Sequence, residues 1–544
     1  MVYSGIGCLI VCLENWFLEK KMDDIKKAED AQELDDLEKK LHNLTVLFAN
    51  KEDLIPKILE ILENPAFCGQ KSPDTKRLEL LLEKGFDDKV RFVIESPYVD
   101  RHYRDTYYSF HSSKFNKVGR DCIRVHLFDG EVTETDLFDR ENKLNERYWG
   151  FFIIRPLLHS ILGRSLISPK AYAKNEYVCC LMKARVSLLG NELMAYGFPH
   201  IAQDKETHTC AESALWCYIE YFGSKYPQYK PLLPSQIIKT LLDTTEHRLL
   251  PSKGLSQNEL AKCLQNNGFQ CQIYPFSNPL DEIPMHFQLI QTYIESGIPL
   301  LLILGGDDHG HVVLAIGHQE DDSIYDPQNI HFPDDSSWVD VSYFNKKLVL
   351  IDENKPPYQI VDISKPIKYH IGSQVINMDV KCFIVPFPVH MFLVAEKVYA
   401  MVEKIFKTKI VGLQANGENG EKWITRIFLT GSRSFKEFLF KADKPLEPIL
   451  RTSLLSMPLP KFIYGCEIYR AHEYKKGGHC SGLLIIDATS DGTLPASVLF
   501  YMVDNNLFLH DNVSWVKKPT RIVVPFRMKT YRNNLKGEWN KWKS

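Results

Sequence analysis

The chain has 544 residues and a formal net charge of -3, with 44% hydrophobic and 25% charged residues. This balance excludes a disordered or fibrous chain, and it provides no charge excess to drive nucleic-acid binding. Length sets an expectation of roughly three or four domains. Thirteen cysteines without a repeating spacing read as reduced thiols of a cytoplasmic protein, not as a disulfide framework.

Residues 1–86 are expected to form an N-terminal helical segment. The apolar run from Gly5 to Leu13 has no basic lead, ends at Glu14 and is too short to span a bilayer; Met22 offers a second start. Leu34, Leu37, Leu41, Leu44 and Leu47 then recur among charges of both signs, which predicts a helix over 23–50 that meets a core or a partner helix. Residues 87–195 read as a strand-rich domain, with apolar runs at 90–94, 122–128, 150–155 and 178–186. Tyr98, Tyr103, Tyr107 and Tyr108 among Arg101, His102 and Arg104 suit a charged ligand or a domain interface, and Arg155 is expected to pair inside the fold.

Residues 196–345 hold the strongest chemical signal. Apolar positions Ala214, Leu215, Tyr218, Ile219 and Phe222 define one face of a helix, and Gly223 is expected to stop it. Thr209 and Glu212 form a capping box, so Cys210 falls in the first turn, where the helix dipole favours a thiolate. Cys217, on the same helix, reads as a small buried apolar group. A second capping box, Ser256 with Glu259, opens a helix to Asn267, and a further helix is expected over 285–296. The strand 298–304, a polar turn and the strand 311–317 follow, the second led by His311. His309 competes as a base but lies in the turn, whereas His311 is held by a rigid element. Pairing of the Tyr325-Asp326-Pro327 segment with the His311 strand would bring Asp326 to the imidazole. Gln203 is placed to offer an amide to an oxyanion.

Gln203, Cys210, the strand His311 to Gly317 and Tyr325-Asp326-Pro327 resemble the peptidases that process bacteriocin leader peptides, a branch of the papain-like fold. The resemblance covers roughly residues 199–343 and departs in having Thr209-Cys210-Ala211 where many members have Asp-Cys-Gly. It implies an α+β core with a catalytic triad of Cys210, His311 and Asp326, and Gln203 completing the oxyanion hole. The expected function is a cysteine peptidase acting on a protein or peptide. The alternatives are a transamidase or deamidase with the same triad, or a non-catalytic interaction module. Such a mechanism implies no cofactor and no metal.

Residues 346–544 are expected to form an α+β C-terminal domain, entered through a linker marked by Lys355-Pro356-Pro357 and Lys365-Pro366. A helix over 389–406 and strands near 422–431, 462–470, 481–486 and 497–502 are expected. Gly477-Gly478-His479-Cys480 reads as a loop, since no further ligand lies near it. Between Lys517 and Lys543 nine basic residues face only Glu538, with Trp539 and Trp542 among them. This tail reads as a solvated face, with contact to nucleic acid or an acidic partner as the alternative.

Overall fold

A computed structural model describes residues 45–537, leaving out several short internal segments and the longer 244–253, 320–337 and 408–421. Strand and helix are mixed throughout, and three sheets carry the architecture. The first is antiparallel and seven-stranded, in the spatial order 45–49, 90–98, 122–129, 148–154, 162–167, 191–201 and 182–188. All four expected strand runs appear here or at its border with the second sheet. The leucine pattern over 23–50 is overruled at its end, the only part described: Thr45–Ala49 is a strand, with Leu47 opposite Ile94. Arg155 is buried and donates to the carbonyls of Ser160, Leu162 and Ala202. Of the aromatic and basic cluster after Pro97, Arg104 and Tyr103 are committed to the fold, Arg104 donating to the Arg120 carbonyl at 2.9 Å and Tyr103 Oη to the Gly119 carbonyl at 2.8 Å, while Arg101 and Tyr108 are exposed.

The second sheet holds the His311 strand. Its main path runs 359–362, 347–351, 309–319, 300–306, 374–388 and 367–371. Leu300–Gly306 and His309–Gln319 form a hairpin in which Leu304 faces His311 and Gly306 faces His309, so His309 is a strand residue and not a turn residue. The stretch after Asn345, which its prolines mark as a linker, instead supplies four strands of this sheet. The reason lies on either side of those prolines: Lys347–Ile351 and Gln374–Pro388 are rich in apolar, β-branched and aromatic residues, and their burial in the sheet outweighs the turns between them.

The third sheet runs 338–340, 423–431, 462–470, 482–487, 498–503, 506–510 and 515–519, close to the expected strands. Both of its faces are covered. Trp423, Ile427 and Leu429 join the core shared with the other sheets, while Ile424 and Phe428 pack with Phe435, Leu450 and Leu454 on the far side. Glu538, Trp539 and Trp542 of the basic tail lie outside the described residues, but its stretch 526–537 is not a solvated face. Phe526, Met528, Tyr531 and Leu535 are buried, and Lys536 and Gly537 pair with Cys179 and Val178, because apolar residues interleave with the charges. His479-Cys480 is a short strand against Met528-Lys529, with Cys480 buried. Among the described residues no helix is long and apolar enough to cross a membrane, and all described cysteines are free.

Candidate active site

Cys210 opens the helix Cys210–Lys225. The capping box forms: the Glu212 carboxylate accepts from the Thr209 amide at 3.2 Å and from the Thr209 hydroxyl. Packing fixes the helix more firmly than this cap. Leu215, Trp216, Tyr218, Ile219 and Phe222 are almost wholly buried, at about 1.5–3 kcal/mol each against about 1 kcal/mol for a cap. The helix lies between the strand Asn191–Ile201 and the strand His309–Gln319, which brings Cys210 to His311. Gly223 does not stop it. A Cβ there would lie 2.7 Å from the Pro231 nitrogen, so the glycine admits a close backbone approach and the helix runs on to Lys225.

His311 is buried, whereas Cys210 is only half-buried. The Cys210 sulfur and the His311 imidazole stand within 4.8 Å of each other. On the other side of the ring, Nε2 donates to Oδ1 of Asp352 at 3.1 Å. Asp352 follows directly on the strand Lys347–Ile351, the neighbour of the His311 strand. Its position is fixed from several directions. Its Oδ1 accepts from the Asn354 amide at 2.9 Å in an Asx turn, and its Oδ2 accepts from Tyr369 Oη at 2.8 Å. The Tyr369 ring also meets the His311 ring edge-on, with centroids 4.9 Å apart. The described carboxylate on His311 Nε2 is thus Asp352, while Asp326, expected there, lies outside the described residues.

A second carboxylate faces the thiol side of the imidazole. Glu353 Oε1 lies 3.6 Å from His311 Nδ1 and accepts from Asn354 Nδ2 at 2.8 Å. Ligand atoms of Cys210, His311 and Glu353 all lie within 4.8 Å of one another. Burial opposes charge on His311, but Glu353, Asp352 and Cys210 together outweigh it and hold the imidazole well above its ordinary value. Burial likewise opposes charge on Asp352; the hydrogen bond and charge of His311, with the Asn354 amide and Tyr369, hold this carboxyl below the usual range. Glu353 goes the other way. Its burial and the adjacent Asp352 raise it, against the pull of His311. Cys217 is buried and its thiol is pushed up by desolvation, in keeping with an inert apolar role.

Gln203 joins this network through Asn354, whose Oδ1 accepts from Gln203 Nε2. Arg77, from the helix Lys76–Lys84, ties the same two loops together. It donates to the Gln203 carbonyl at 2.9 Å, the Glu353 carbonyl at 3.3 Å and Asn354 Oδ1 at 2.9 Å. Cys210, His311 and Gln203 are thus gathered in one region. Sequence reading missed Asp352, Glu353, Asn354, Tyr369 and Arg77. One signal was available: an apolar strand run ending in Asp352-Glu353-Asn354, the same pattern of strand followed by acid that pointed to Asp326. No protein-family model matches the sequence, and no curated protein matches it.

Proposed function

We propose that the chain is a cysteine peptidase with a papain-like core, cleaving a peptide or isopeptide bond through a thioacyl intermediate. The observation that carries this reading is Cys210 at a helix start, within 4.8 Å of an imidazole whose far nitrogen is held by Asp352.

The thiolate form of Cys210 attacks the carbonyl carbon, and its proton resides on His311. Asp352 keeps Nε2 protonated and the ring turned so that Nδ1 faces the sulfur. First-turn amides of the Cys210 helix have no intrahelical acceptor and are available to the oxyanion. Gln203 has one amide hydrogen engaged by Asn354, leaving a second for the same oxygen. His311 then gives its proton to the departing amine. Water, deprotonated by the same imidazole, cleaves the thioester and regenerates the thiol. Every step uses groups of the chain itself and a water molecule.

A proteome-derived peptide library, incubated with the full chain and scored by mass spectrometry for new termini, tests the reading. Wild type is expected to generate a consistent set of cleavages that Cys210→Ala and His311→Ala both lose. Cleavages of equal rate in wild type and Cys210→Ala would contradict it.

A further inference from the structure

Acyl transfer leaves one buried acid of the site unused. Glu353 is 5% exposed, stands on the thiol side of His311, and duplicates nothing that Asp352 does on the opposite nitrogen. We infer that Cys210, His311 and Glu353 form a binding site for a zinc ion, which blocks the thiol when it binds. A thiolate, an imidazole and a carboxylate are the donor set that a borderline-soft divalent ion prefers over magnesium or calcium. Tetrahedral bonds of about 2.0–2.3 Å place ligand atoms roughly 3.3–3.8 Å apart. The three donor atoms here lie within 4.8 Å of one another, and the Glu353 to His311 separation is 3.6 Å, so side-chain rotation closes the shell.

The surroundings supply an independent argument. A histidine that binds zinc through one nitrogen ordinarily donates its other N–H to a carboxylate, and a ligating carboxylate is itself hydrogen-bonded. Both supports are present: Asp352 on His311 Nε2 at 3.1 Å, and Asn354 Nδ2 on Glu353 at 2.8 Å. Tyr369 and the Asn354 amide in turn fix Asp352. Coordination forms bonds from zinc to the sulfur, the imidazole nitrogen and the carboxylate oxygen as the proton shared by Cys210 and His311, and that of Glu353 where it is protonated, leave to solvent, with no change of oxidation state. Three protein ligands leave a fourth position for water.

The site shares side chains with the proposed peptidase, but its test needs no substrate. The full chain, freed of metal by a chelator, is titrated with Zn2+ against a chromophoric competitor while iodoacetamide labelling of Cys210 is followed by peptide mass spectrometry. One tight Zn2+ equivalent is expected to protect Cys210, and Mg2+ or Ca2+ at the same concentration is not. Each variant's labelling with Zn2+ is compared with its own labelling without it. Glu353→Gln is expected to weaken this protection by more than about tenfold, the loss typical of even an outer-shell partner. Cys210→Ala is expected to lose the tight equivalent with Glu353 intact, which separates loss of a ligand from misfolding of one variant. Wild-type zinc affinity in either variant, or unprotected Cys210 in zinc-loaded wild type, would overturn the assignment. Loss of protection with peptidase activity retained would leave the function proposal standing, and the converse would leave the zinc site standing.

Discussion

One strand carries two buried histidines, and their surroundings differ in a way that separates structure from chemistry. His318 Nε2 meets Glu295 at 2.9 Å; Arg426 pairs Glu295 at 2.6 Å and Glu467 at 2.8 Å. Two acids face two bases there. Glu467 also accepts from the Tyr531 amide and the Tyr469 hydroxyl, each at 2.6 Å. Burial opposes charge on Glu295, yet Arg426 and His318 hold its carboxyl far below the ordinary range. His311, by contrast, is set between two adjacent acids and a thiol, and Glu353 is pushed up. A balanced cluster welds the second sheet to the third; the other, with Lys355 4.0 Å from Asp352 and Arg77 on the Glu353 carbonyl, places a raised carboxyl and a charged imidazole beside a half-buried cysteine.

Breaking each cluster at its central partner gives the largest effects. Asp352→Asn is expected to lower peptide cleavage by about a thousandfold to ten-thousandfold, or roughly 4–5.5 kcal/mol of barrier, because the imidazole loses the group that sets its tautomer. Steady-state kinetics on the library-derived substrate measures it. An unchanged rate would show that the pairing with Asp352 is only structural. Arg426→Met at the balanced cluster strands two buried carboxylates and is expected to cost about 3–5 kcal/mol in chemical denaturation. Iodoacetamide labelling of Cys210 in the folded variant should stay at the wild-type rate, and a fall would mean that the two clusters are coupled.

Arg77→Ala sharpens the comparison from outside the histidine strand. It removes the arginine tie between the loops of Gln203 and Glu353 and leaves the Gln203–Asn354 hydrogen bond, and a misplacement on the scale of 1 Å predicts roughly a tenfold to hundredfold loss of kcat, with KM little changed. A rise in KM alone would assign Arg77 to substrate binding. The smallest effect is at Glu353. Its folded value is raised to about 7, above that of an unfolded glutamate, so its contribution to stability is complete below about pH 4.3 and is lost as pH rises through the folded value. Glu353→Gln removes that loss. Its stability relative to wild type should therefore grow between about pH 4.5 and 8 by on the order of 2 kcal/mol, read from denaturation midpoints across pH. A difference independent of pH would place the proton elsewhere.

The parts of the site legible in the sequence were those specified by local rules. A capping box and an apolar face located the Cys210 helix, and an apolar run led by histidine located the His311 strand. The acid was not legible because its place depends on which strand pairs with the His311 strand. That choice is made by the strand starting at Lys347, 41 residues separating His311 from Asp352. Pairing over such distance leaves no periodic trace, and the prolines at 356 and 357 suggested a linker where the chain only turns. Arg77 was still less visible: a lone arginine 126 residues before its partner Gln203 carries no motif. The C-terminal tail misled through its charge, since the buried Tyr531 and Leu535 decide its position.

The most direct test of the central claim is the pH profile of iodoacetamide labelling at Cys210, mapped by peptide mass spectrometry in wild type and His311→Ala under metal-free conditions. Rapid labelling below neutral pH that weakens in the variant is the predicted result, since the imidazolium stabilises the thiolate. Labelling that rises only near the ordinary thiol value of about 8.5, equally in both proteins, would contradict an activated Cys210–His311 pair.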